Sequence, residues 1–166
     1  MDLQELRTLV DYHYWARDRV LAAAATLTPE QFTRGLGSSF SSVRDTLAHV
    51  YAAEWVWCSR WNGRSPSSLL SPDQFPDVDT LRARWATLES DVRGVLDRMG
   101  EQGLDRVIGY TMLSGDERQS VFWHMLQHVV NHASYHRGQV TTLLRQLGAA
   151  PPEGTDLITF YRTIGR

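Results

Sequence analysis

Apolar residues return at intervals of three and four along four long stretches of this chain, a period that only an α-helix gathers onto one face. The first stretch covers residues 3–27, where Leu3, Leu6, Val10, Tyr14, Arg17 and Leu21 share a register and Ala22 to Ala25 favour helix. Ser41 or Ser42 caps the second, which carries Val43, Leu47, Val50, Glu54 and Trp57 to about Trp61 and stops at Asn62-Gly63. Asp45 stands three residues after Ser42, where a capping box places its acid. Asp79 or Thr80 caps the third, which carries Leu81, Trp85, Leu88, Val92 and Leu96 to about Met99. The fourth covers about 120–147 and ends at Gly148.

The connections complete the architecture. Thr28-Pro29-Glu30-Gln31 reads as a short capped turn, and 156–164 as a last short helix. The stretch DRVIGYTMLSGDERQSV turns around Ser114-Gly115-Asp116 and reads as a small β-hairpin before the fourth helix. Residues 63–78 hold three prolines and four serines and no helical period. That link is long enough to run the length of a bundle, so the second and third helices are expected to be parallel neighbours. The expected fold is all-α: a four-helix bundle with a long crossover between helices two and three, in one domain over residues 1–166.

Composition narrows the function classes. A formal net charge of -2 gives no electrostatic footprint for nucleic acid. No apolar run approaches the roughly 20 residues of a membrane span. The opening MDLQELRTLVDY is acidic and amphipathic, unlike a signal peptide, and the single cysteine, Cys58, fits a reducing cytosol; a cytoplasmic protein is expected. All 17 basic residues are Arg, which removes any mechanism built on a lysine amine.

The fourth helix carries the chemistry. His124, His128, His132 and His136 stand four residues apart, and they are four of only six histidines. A step of four turns a helix by about 400° and rises about 6 Å, so adjacent rungs differ by about 40°. Two imidazoles at that spacing can hold one metal ion. Three successive rungs span about 12 Å, too far for bonds of about 2.0–2.1 Å, so a third ligand must come from another helix. His132 and His136 have the more polar neighbours, whereas His124 and His128 sit among Phe122, Trp123, Met125, Leu126, Val129 and Val130 and look like bundle interior. His49 on the second helix and His13 on the first are both candidates for the third ligand.

The stretch HVVNHASYHRGQV resembles the signature of the DinB/YfiT-like superfamily, and the WAR segment of the first helix, LAHVYAAEWVW in the second and the tail PPEGTDL agree with it. The resemblance spans the chain. It implies a crossover four-helix bundle, frequent homodimers, and a divalent metal, whether zinc, nickel or iron. Carried onto this sequence, its ligands are His49, His132 and His136, which leaves His124 and His128 as non-ligands. His128 is then a residue that lines the cavity or bonds a supporting group. The superfamily includes transferases and isomerases that use low-molecular-weight thiols such as bacillithiol or mycothiol.

Three neutral imidazoles with an open position fit a catalytic site better than a closed structural one. The expected function is therefore a divalent-metal-dependent hydrolase or thiol S-transferase acting on a small molecule. The alternative is a non-catalytic metal- or ligand-binding stress-response bundle. Around this site Asp45 reads as a plain charge at the helix N-terminus, with a bond to the His49 ring as the alternative, and Arg137 is placed to grip a substrate carboxylate or form a salt bridge at the bundle rim. Glu54 lies about 140° round the helix from His49 and reads as solvated or ion-paired, or as a general base if the helix bends. Cys58 is expected to be packed. Trp57 and Trp61 either pack the core or wall a pocket.

Overall fold

In the computed structural model, which describes residues 1–165, helix α1 spans Leu3–Ala24. Asp2 and Glu5 close a reciprocal capping box at its start. The helix ends three residues before the expected limit, because the Thr26 hydroxyl takes the Ala23 carbonyl and the chain turns toward Pro29. Thr28 and Gln31 then cap α2, Pro29–Thr33. Ser42 caps α3, Val43–Trp61, by accepting the Asp45 N–H. Only this half of the expected box forms, since the Asp45 carboxylate takes Ser41 and Arg44 instead.

Helix α4, Val78–Met99, starts earlier than expected: Asp77 is the cap, accepting the Thr80 N–H at 2.7 Å. That start brings Val78, 8% exposed, into the core. The expected hairpin is present as strands β1, Val107–Thr111, and β2, Glu117–Val121, with Val107 opposite Val121 and Thr111 opposite Glu117. Gly115, at φ 92, supplies the left-handed residue of its turn. Helix α5, Phe122–Gln146, follows directly, and α6, Leu157–Thr163, closes the chain.

The four long helices form a ring in which α1 packs on α4 and α5, and α3 packs on the same two. Side-chain pairs give the directions. Arg7 meets Asp97, Asp11 meets Arg93 and Arg17 meets Glu89, so α1 and α4 are antiparallel. Tyr51 meets Trp85 while Asn62 meets Arg98, so α3 and α4 are parallel, as the crossover requires. Trp61 meets Phe122 and His49 meets His132, so α3 and α5 are antiparallel. The ring closes over fully buried Leu6, Leu21, Leu81, Trp85, Leu96 and Phe122, each large apolar side chain worth about 1.5–3 kcal/mol of burial. No helix among the described residues is long and apolar enough to cross a membrane.

Candidate metal centre

The histidine ladder winds out of the bundle. His136 is buried, His132 half-buried, and His128 and His124 are exposed. The drift of about 40° per rung accounts for the series. It also corrects the expectation of an interior position for His124 and His128. Their apolar neighbours face inward while the two imidazoles face out.

At the inner end of the ladder α5 meets α3. His132 Nε2 lies 3.0 Å from His136 Nε2 and 3.1 Å from His49 Nε2. The three ligand-capable nitrogens lie within 4.8 Å of one another and could hold a metal ion. Two nitrogens bound to one ion at about 2.0–2.1 Å can be at most about 4.2 Å apart, and both close contacts fall inside that limit. His13, the other candidate, is not part of the group: it is 3% exposed and its Nε2 is bound to Glu54.

The protons on the rings decide what the cluster wants. Gln139 Oε1 accepts from His136 Nδ1 at 2.7 Å, which leaves the Nε2 of a neutral His136 as a bare lone pair. A single proton on His132 Nε2 then serves only one of its two close contacts. A cation at the centre satisfies all three lone pairs. Burial holds the His49 imidazole down to about 4, with His136 adding to the effect. Burial, then His136 and His49, holds His132 down to about 3. Both rings are therefore neutral at neutral pH, the form that binds metal.

Phe40, from the loop before α3, stacks on His49 at 4.1 Å between centroids and presents an edge to His136 at 5.4 Å. On the other side the ladder leads from His132 to His128, and His128 touches Trp57, which touches Tyr110 of the hairpin. The Arg60 guanidinium lies against both the Trp57 and Tyr110 rings, 4.6 and 4.8 Å from their centroids, and donates to the Thr111 carbonyl. Trp57 thus connects to the triad through His128, whereas Trp61, 6% exposed, packs on Phe122 in the core.

The remaining candidates have other roles. Glu54, 2% exposed, accepts from Tyr14 Oη at 2.7 Å, Trp85 Nε1 at 2.8 Å and His13 Nε2 at 3.0 Å. Burial pushes its carboxyl up, but His13, Trp85 and Tyr14 outweigh that and hold it below the usual range. It is hydrogen-bonded to three side chains rather than solvated, and too enclosed to serve as a general base. Asp45 is bound to Ser41 and Arg44 and steadies the loop before α3 rather than the His49 ring. Arg137 is 4% exposed and donates to Ser134 at 2.6 Å and Tyr12 at 3.3 Å. No carboxylate pairs with it among the described residues, so it is not a rim salt bridge. Burial pushes the Cys58 thiol up to about 12, with Asp91 and Glu54 adding to the effect, in keeping with a packed residue. Sequence reasoning missed Phe40 as a cover for the triad. It also missed the bond from His136 to Gln139, whose i, i+3 spacing was a readable signal.

Fold and site together define a helical bundle that presents three convergent imidazoles from two antiparallel helices. The model of the DinB family matches residues 1–163, and the chain belongs to the DinB family. It is 26% identical over 149 residues to Protein DinB of Bacillus subtilis strain 168, covering 86% of each chain. It is 23% identical over 149 residues to the uncharacterized protein YizA of the same organism, covering 85% of this chain and 87% of that one. Among solved structures, a DinB-like protein of Bacillus cereus ATCC 10987 superposes with a TM-score of 0.67 at 17% identity, covering 88% of this chain and 95% of that one. A DinB-like protein of Bacillus subtilis, YjoA, gives 0.63 at 19% identity, covering 89% and 96%. At these identities the superpositions speak for the fold.

Proposed function

We propose that His49, His132 and His136 hold one divalent cation, whether zinc, nickel or iron, and that the chain is a metal-dependent hydrolase or low-molecular-weight-thiol S-transferase. The observation that carries this reading is the meeting of three Nε2 atoms, one of them fixed as a bare lone pair by Gln139. Imidazole ligands suit all three metals. When bound, such an ion supplies Lewis acidity that makes a nucleophile of a water or a thiol at neutral pH. The chain's own residues shape the access. Phe40 contacts the rings of both His49 and His136, and in this reading a small substrate meets the triad from the His128 and Trp57 end. In this reading residues 1–166 act as one domain, and a homodimer is the assembly to test by light scattering.

One observation favours a second reading. Asp45 and Glu54, the carboxylates nearest His49 in sequence, are both committed elsewhere, so neither is free to move a proton at the triad. A non-catalytic metal- or ligand-binding protein needs no such group.

The deciding experiment is elemental analysis of untagged protein, purified without a nickel column, beside His132→Ala, followed by a screen of thiols and electrophiles. About one metal per chain, lost in the variant, together with turnover supports the enzyme. Metal without turnover supports the binding protein. No metal in either protein overturns the metal site and leaves only a ligand-binding bundle.

A further inference from the structure

Beside the Glu54 cluster, the four long helices enclose a small cavity. His13 and Arg17 of α1, Leu47 and Val50 of α3, Trp85 of α4 and Ala133 of α5 contribute to its wall. Most of that wall is apolar. Two of the residues that form it, His13 and Arg17, nevertheless each carry a buried polar atom with no hydrogen-bond partner among the described residues: His13 Nδ1 and Arg17 Nη1.

Their bonding fixes what they need. The Glu54 carboxylate only accepts, so His13 Nε2 carries the hydrogen of that contact. Nδ1 of a neutral His13 is then an acceptor without a donor. On Arg17, Nε and Nη2 are taken by Asp18, and Nη2 also meets Glu89. Nη1 is a donor without an acceptor. The two residues stand at i, i+4, which sets their side chains next to each other on one face of α1. Arg137 also reaches the cavity, but its Nη2 is already bound to Ser134 and Tyr12. Leaving a buried donor and a buried acceptor both unmade is rare in folded proteins.

We propose that this cavity is a binding site for one water molecule, which accepts from Arg17 Nη1 and donates to His13 Nδ1. The cavity volume of about 10 Å³ stands at the lower bound of the roughly 10–15 Å³ that one water requires and excludes a polyatomic anion. Water also fits either protonation state of His13, because its oxygen can accept two bonds, whereas an anion fits only the charged ring. The water closes a polar line through the bundle, from Glu89 on α4 through Arg17 and His13 on α1 to Glu54 on α3. That line ties three of the four long helices together at the level of Glu54, five residues beyond His49 on the same helix.

Crystals of the full chain at atomic resolution, with and without xenon pressure, test the proposal. The expected result is one ordered water within hydrogen-bond distance of both atoms, and no xenon at this site. Xenon in the cavity, or a direct bond between Arg17 and His13, would overturn it. Oxygen-17 relaxation dispersion gives a solution measurement. Ala133→Val, or Val50→Ile if the first variant does not fold, fills the cavity and is expected to remove one long-lived water relative to wild type. A dispersion unchanged by a folded variant also counts against the proposal.

Discussion

Replacing Gln139 with Leu removes the acceptor that fixes the His136 ring while leaving the three proposed ligands in place. The bond is short, 2.7 Å, and part-buried, and it selects the tautomer whose Nε2 faces the triad. Loss of such a supporting partner costs about 10- to 100-fold in metal affinity, or about 1.4–2.8 kcal/mol. Gln139 is only half-buried, so the ion-free protein should lose little stability by comparison. The assay is competition between the protein and a chromophoric chelator for a stoichiometric amount of zinc, with thermal unfolding of the ion-free forms alongside. Gln139→Glu keeps an acceptor and adds charge, so it is expected to bind at least as tightly as wild type. Wild-type affinity in Gln139→Leu, with binding abolished in His136→Ala, would refute the reasoning.

Glu54→Leu strands three buried donors, on His13, Tyr14 and Trp85, and should cost about 3–5 kcal/mol in urea unfolding; a loss below about 1 kcal/mol would contradict the role assigned to Glu54. Because the Glu54 carboxyl is held below its ordinary value, its contribution is full above the unfolded-state pKa of about 4.3 and fades as pH falls through the lower folded-state value. Urea midpoints of wild type and Glu54→Gln should therefore converge in acid, and a gap that stays constant from neutral pH into acid would disprove the linkage. Phe40→Ala removes the ring stacked on His49 and should weaken metal binding by about two- to tenfold while speeding release to chelator; unchanged release would mean that Phe40 only packs. Arg60→Met removes the cation packed against Trp57 and Tyr110, worth about 1–2 kcal/mol, and should raise hydrogen exchange selectively at residues 107–111.

The sequence carried the bundle because its evidence is local. Ser42 ahead of Val43 and Asn62-Gly63 behind Trp61 mark both ends of α3 where the structure has them. The start of α4 was less legible because Asp77, Asp79 and Thr80 all suit a cap, and the choice falls to burial of Val78, a tertiary effect. The outer rungs of the ladder were misjudged because the neighbours of His124 and His128 were weighed by composition. The helical angle measured back from His136 gives the right answer. Phe40 carried no local sign of its role, since it joins the triad through the fold of an irregular loop. Glu54 was open as a general base because no pattern along α3 records the three donors that reach it from α1 and α4.

His49 and His132 are 83 residues apart in the chain. Bringing two points that far apart together costs a free chain about 4 kcal/mol in loop closure. Packing of α3 on α5 has already met that cost before any ion arrives. A cation at this seam would meet preplaced ligands and act as a cross-link on the folded state alone. Each tenfold excess of free ion over its dissociation constant then adds about 1.4 kcal/mol to the stability of the fold. With a cation bound there, the unfolding temperature of the chain would gauge the metal concentration around it.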